Sequence, residues 1–273
     1  MLSMLDTGQK GNYRVPYSIL NEHNPYAIAA YLAAMRFSTR YNEATGSIKQ
    51  YLDYFSYPTD HHIGATNDRM KSGLVTLASL GALNITPKQA AALKPNEHFN
   101  IKFKPNWGWS FKEYPLAIMY PIKEIDKAVE LVKKKRWTIA DSIVDVLELV
   151  GYLRSYMETT TETMNPYDRW NEGMTMVDYN STTSLLGVGS RRLDIRLERM
   201  KALGFGRYRK VKLKGGTLNH ARTFLLFVNK SNTDQEIKVL NKAKRNLLNF
   251  YTGSKMVKVE TDTTQEEATQ EEE

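Results

Sequence analysis

Eleven Lys and Arg residues fall between Arg191 and Arg222 against only two acids, Asp194 and Glu198, a local balance of +9. Guanidinium groups pair bidentately with phosphate oxygens and with the edge of guanine, so such a patch suits contact with a polyanion rather than bond making. The spacing sorts these residues into two groups. From Ser190 onward, Leu193, Leu197, Met200 and Leu203 recur at helical intervals and bury one face, which turns Arg191, Arg192, Arg196 and Arg199 toward solvent. Beyond Gly206, the run Arg207-Tyr208-Arg209-Lys210-Val211-Lys212-Leu213-Lys214, a Gly215-Gly216 turn and the stretch Ala221–Val228 read as a hairpin. Its pattern predicts Val211 and Leu213 facing inward, with Tyr208, Lys210, Lys212 and Lys214 outward.

The elements that must hold these groups follow from local signals. Ser181 to Leu186 forms a short helix, Gly187-Val188-Gly189 a tight turn, and Ser190 opens the next helix, the order of a helix-turn-helix. Before it, Ile139 to Met157 carries Ile143, Val146, Leu147, Val150 and Leu153 on one face of a longer amphipathic helix. The first half of the chain starts similarly. Asn24-Pro25 is a helix start, Ser47 caps a second helix bearing Tyr51, Leu52 and Phe55, and a third places Met70, Leu74 and Leu77 inward. Residues 82–104 read as hairpin or wing material. Aligning Leu80-Gly81-Ala82 with Leu203-Gly204-Phe205 superposes Leu77 on Met200, Leu74 on Leu197, Met70 on Leu193 and Arg69 on Arg192, an echo 123 residues apart.

Helix, helix-turn-helix and two-stranded wing, over residues 139–228, resemble a winged-helix DNA-binding domain. Two such units in one basic chain resemble, in architecture, the replication initiators of plasmids and phages. The resemblance implies a mainly α protein with small β-hairpins, an α+β class, containing two winged helix-turn-helix domains. It places the first at 1–104, a linker with a short amphipathic helix at 105–138, the second at 139–230, a C-terminal helix at 231–253 and a disordered acidic tail at 254–273. It implies a partner, double-stranded DNA at repeated sites, with a homodimer as a further possibility. In the second unit the DNA-contacting set is Ser190, Arg191, Arg192 and Ile195 at the start of the helix. Arg196, Arg199, Arg207, Arg209, Lys210, Lys212, Lys214 and Arg222 continue it along helix and wing. The corresponding first-unit residues are Thr66, Asn67, Arg69 and Lys71, on a less basic helix. Two blander alternatives stand beside this: a solvated arginine face ion-paired through Asp194 and Glu198, and an interaction protein, such as a replisome loader or viral scaffold, that uses winged-helix folds for protein contacts.

Other chemistries find little in the sequence. There is no cysteine, which excludes disulfides, thiol nucleophiles and Cys-ligated metal sites. His61-His62 are adjacent, so on a strand their imidazoles would point to opposite sides, unsuited to one metal. Gly187-Val188-Gly189-Ser190 and Lys214-Gly215-Gly216-Thr217 lack the spacing of a phosphate-binding loop. Neither an enzyme nor a cofactor or metal is expected. Trp107 and Trp109 read as packing anchors, and Lys133–Arg136 as a basic helix end that complements the dipole. No signal peptide or membrane span is read, which suggests a cytoplasmic protein. The net charge of +8 hides a division. The chain holds 38 bases and 30 acids, seven of the acids lie between Glu260 and Glu273 with no base among them, and residues 1–259 are therefore +15.

Overall fold

The structure is a computed structural model that describes residues 12–38, 43–58, 64–103, 117–137, 141–158, 174–229 and 233–260. The chain divides into two compact units, Met1–Tyr152 and Leu153–Glu273. Helices and small antiparallel sheets make a mixed α+β architecture.

In the first unit β1 (Asn12–Pro16) and α1 (Tyr17–Leu20) lead into α2 (Pro25–Arg36). The Asn24 side chain caps α2 by accepting from the Tyr26 N–H at 3.1 Å, and Pro25 takes the first helical position, where no N–H is needed. Then come β2 (Glu43–Gly46), α3 (Ile48–Phe55) and α4 (Gly64–Ser79). Ser47 and Gln50 exchange hydrogen bonds in a capping box at the start of α3. A second box, Thr86 with Gln89, starts α5 (Pro87–Ala92), a helix within the segment expected to be hairpin alone. β3 (Phe99–Lys102) pairs antiparallel with β2, and Leu83 bridges Phe103.

The expected linker is part of the first unit. β4 (Ala117–Pro121) pairs with β1 from Asn12 opposite Pro121 to Pro16 opposite Ala117, burying Val15, Ile118 and Tyr120. α6 (Ile122–Lys134) buries Ile125, Ala128, Val129 and Val132, and Lys133 and Lys134 lie in its last turn. A pairing between segments a hundred residues apart leaves no local periodicity, so Pro121 reads as a break although it ends a core strand. α7 (Asp141–Glu158) crosses the division of units, and the Tyr120 hydroxyl donates to the Leu147 carbonyl at 2.7 Å.

In the second unit β5 (Met174–Asp178), α8 (Tyr179–Leu185), α9 (Ser190–Ala202), β6 (Gly206–Gly215) and β7 (Leu218–Asn229) follow in order. α10 (Thr233–Phe250) and β8 (Ser254–Glu260) complete it. The sheet order is β5-β7-β6-β8, all antiparallel. α10 covers one sheet face, where Leu240 and Leu247 join Val211, Leu213, Phe224, Leu226 and Val228 in a core cluster. The segment from 254 is thus a strand before it is an acidic tail. Ser254-Lys255-Met256-Val257 alternates half-buried with exposed residues, a weak signal that the surrounding charges obscure.

The order helix, strand, helix, helix recurs along the chain, as α2-β2-α3-α4, followed by α5 and β3, and as α7-β5-α8-α9, followed by β6 and β7. Its strand pairs with a strand that follows the helices, β2 with β3 and β5 with β7. The echo at 123 residues extends to the backbone. α4 and α9 both end on a left-handed glycine, Gly81 at φ 74° and Gly204 at φ 78°. Each closes the helix with the same two bonds: Gly81 N–H to the Ala78 carbonyl and Ala82 N–H to Leu77, then Gly204 to Lys201 and Phe205 to Met200. Met70, Leu74 and Leu77 are fully buried, as are their counterparts Leu193, Leu197 and Met200.

The first unit also buries phenols. Burial pushes Tyr31, Tyr51, Tyr54 and Tyr13 above the ordinary tyrosine value, and at Tyr54 the neighbouring Tyr13 and Asp126 add to it. The unfolded chain gives up these protons near pH 10 while the folded unit keeps them, so above that pH the folded state binds more protons and loses stability. We expect full stability below about pH 10 and a loss of up to about 1.4 kcal/mol per pH unit for each tyrosine above it. Urea unfolding between pH 8 and pH 11 checks this. A midpoint that stays level across that range contradicts it.

Candidate nucleic-acid interface

α9 is set against the sheet by its two acids. Asp194 Oδ1 accepts from the Tyr179 hydroxyl at 2.6 Å and from Lys210 Nζ at 3.3 Å. Glu198 accepts a short hydrogen bond from the Tyr208 hydroxyl. Four residues of helix advance about 6 Å and two residues of strand about 6.6 Å, so the Asp194–Glu198 step matches the Lys210–Tyr208 step, and α9 runs antiparallel along β6. The Tyr179 hydroxyl also lies 2.9 Å from the Ser190 carbonyl, and the Lys210 ammonium sits 5.5 Å over the Tyr179 ring.

Continuing the same step by one unit brings Ser190 level with Lys212. Both line a cleft of about 340 Å³ together with Tyr179, Asn180, Asp194, Lys210 and Thr223. The cleft opens between the start of α9 and the hairpin. Gly187, at φ 60°, makes the left-handed bend between α8 and α9. Asp178 caps α8 by accepting from the Ser181 N–H at 2.8 Å, while Gly189 caps α9 with no side chain at all.

With Asp194 and Glu198 turned to the sheet and Leu193, Leu197 and Met200 in the core, α9 presents a third stripe outward. Ser190, Arg191 and Arg192 are exposed, Arg199 is half-buried, and Ile195 is 42% exposed, an unusual apolar group in a basic surface. On the hairpin Lys212 and Lys214 are exposed and continue the strand face that carries Lys210. Tyr208 is buried.

Several residues expected in the interface stand elsewhere. Arg196 and Arg209 are only 3% and 5% exposed. Arg209 Nη1 donates to Asn241 Oδ1 at 2.7 Å, tying β6 to α10 on the far side of the sheet. Strand alternation sets Arg207 on that side too, and Arg222 sits opposite Leu213 in register, on the α10 face, although it is exposed. Lys210 is held by Asp194, with 17% of its side chain exposed. Periodicity carries the signal for these assignments, since Arg196 falls between Leu193 and Met200 on the apolar face and Arg209 alternates with Val211; long aliphatic stems let an arginine enter such a face.

In the first unit Thr66 is buried and is withdrawn from the interface. Asn67 and Lys71 are half-buried and Arg69 is exposed. Through the 123-residue echo Asp68 occupies the place of Arg191, Ser72 that of Ile195, and Thr76 that of Arg199. Asn24 Nδ2 donates to Thr76 at 3.0 Å, so this stripe is partly used within the unit. His61, His62, Trp107 and Trp109 lie outside the described residues. Among the described residues no group of three or more His, Asp and Glu is placed to hold a metal ion, and no helix is long and apolar enough to cross a membrane. No protein-family model matches the chain, and no curated protein matches its sequence.

The division between buried and exposed bases is testable by stability alone. Arg209→Ala leaves Asn241 without its donor and empties a buried position, so we expect a loss of roughly 1–3 kcal/mol in urea unfolding. Lys212→Ala and Lys214→Ala should stay within about 0.5 kcal/mol of the parent. Equal effects for all three would contradict the assignment.

Proposed function

We propose that the chain is a non-enzymatic, sequence-specific binder of double-stranded DNA, built on two winged-helix-type units and acting in the cytoplasm as a replication initiator or a related regulator. The observation that carries this reading is the outward stripe of α9, Arg191, Arg192 and Ile195, with exposed Ser190 at the adjoining cleft, standing beside an exposed lysine pair on the β6–β7 hairpin. An α-helix fits the major groove, where arginine reads guanine and an apolar group such as Ile195 meets the thymine methyl. The hairpin lysines then lie where they would follow the phosphate backbone. The repeated order helix, strand, helix, helix, with its strand paired to a strand after the helices, supports the same reading.

The two units are not equal partners in this proposal. α4 carries Asp68 where α9 carries Arg191, so base reading is assigned to the second unit. The first unit supplies weaker DNA contact through Arg69, Lys71 and Asn67.

Fluorescence anisotropy across a panel of duplexes separates the two kinds of contact. Arg191→Ala and Arg192→Ala should each cost about 1–3 kcal/mol on the preferred duplex and narrow its advantage over the others. Lys212→Ala and Lys214→Ala should weaken every duplex alike and lower the slope of log K against log salt by about one each. If the arginine and lysine variants lose affinity in the same uniform way, specific reading by α9 is wrong.

A further inference from the structure

We infer that the acidic segment 261–273 docks on the basic face of its own second unit, over the hairpin lysines and the start of α9, and competes there with nucleic acid. The inference rests on the reading of that face as a DNA interface, and it adds an intrachain occupant.

The argument begins at β8. This strand pairs with β6 from Ser254 opposite Gly215, at the hairpin turn, to Glu260 opposite Lys210. β8 therefore delivers the chain to the strand position that carries Lys210, a residue lining the cleft beside α9. The thirteen residues that follow include Asp262, Glu266, Glu267, Glu271, Glu272 and Glu273 and not one Lys or Arg. A six-residue stretch spans at most about 20 Å, and Lys212 stands two strand residues, about 7 Å, from Lys210. The outward stripe of α9 is about one helix diameter from the sheet. β8 runs away from the hairpin turn, so the docking requires the chain to fold back after Glu260; Lys212, Lys214 and Arg191 then lie within the chain length available to Glu266 and Glu267.

Sequence and register agree on one purpose. Seven acids after a body of +15 make a poor general solubiliser if they trail freely, since the net charge falls toward zero. Tethered beside a basic cleft, they act at an effective concentration near the millimolar range, enough to oppose weak, non-specific binding to phosphates. A preferred duplex, with its added base contacts, displaces them. The device sharpens discrimination by weakening the electrostatic component that all DNA shares.

The test compares the full chain with a form ending at Glu260 and with a full-length variant carrying Asp262→Asn and Glu→Gln at 266, 267, 271, 272 and 273. Both altered forms should bind a random duplex about tenfold more tightly than the parent in about 50 mM salt, with the gap closing near 300 mM. Zero-length carbodiimide coupling of the DNA-free parent, read by mass spectrometry, should join the segment's carboxylates to Lys212 or Lys214 within monomers. Couplings scattered over the lysines of the first unit, or confined to covalent dimers, would overturn the docking, as would unchanged affinity in both altered forms. If the couplings form as expected while no form of the protein binds DNA, the docking stands and the assignment of the face to DNA falls.

Discussion

The proposed interface depends on where two acids of α9 point. Asp194 and Glu198 turn to the sheet and take up Tyr179, Lys210 and Tyr208, and this contact sets the rotation of the helix about its axis. Both acids keep part of their surface in solvent, and their bonds to the sheet hold them on its side of the helix and not on the stripe of Arg191, Ile195 and Arg199. Individually the contacts are modest: a half-exposed pair such as Lys210–Asp194 contributes on the order of 1 kcal/mol or less. Their weight lies in geometry. A helical step of four and a strand step of two have nearly the same length, so two contacts fix direction and register together. The apolar face of Leu193, Leu197 and Met200 then seals the arrangement beneath.

Much of α9 was legible in the sequence because its information is local. Leucines at helical intervals, a glycine in the preceding turn and Leu-Gly after the last turn each specify geometry over a few residues, and the same frame in α4 repeats it with the same terminal hydrogen bonds. Asn24-Pro25 and the Ser47 cap were legible for the same reason. What escaped was long-range. β4 finds β1 across more than a hundred residues, and β8 returns to β6 after a whole helix, so neither carries a hairpin turn to announce its pairing. The charged residues were ambiguous in another way. Arg196 and Arg209 share their residue type with Arg191 and Arg192, and it is their place in the helical and strand periods, on the apolar faces of Leu193 and Val211, that separates bases inside the unit from bases on its surface.

The same separation reshapes the meaning of the charge. The local balance of +9 does not lie on one surface: Arg207, Arg209 and Arg222 belong to the α10 side of the sheet, Arg196 to the interior and Lys210 to Asp194. Lys201 is half-buried in the last turn of α9, and what remains toward solvent beside the cleft is a smaller set, Arg191, Arg192, Arg199, Lys212 and Lys214, with Ser190 and Ile195 among them. A compact mixture of arginine, hydroxyl and methyl groups suits the reading of base edges better than a diffuse field of charge does. The unequal stripes of α4 and α9 follow the same logic, since one fold frame carries two different surfaces.

The most direct test of this account is selection of bound duplexes from a random-sequence pool by the full chain, carried through several rounds at physiological salt and sequenced. The account predicts enrichment of a short site containing guanine, with thymine nearby for Ile195, and loss of that enrichment in the Arg191→Ala, Arg192→Ala double variant. A pool that stays random through every round, with the protein folded and present, would contradict it.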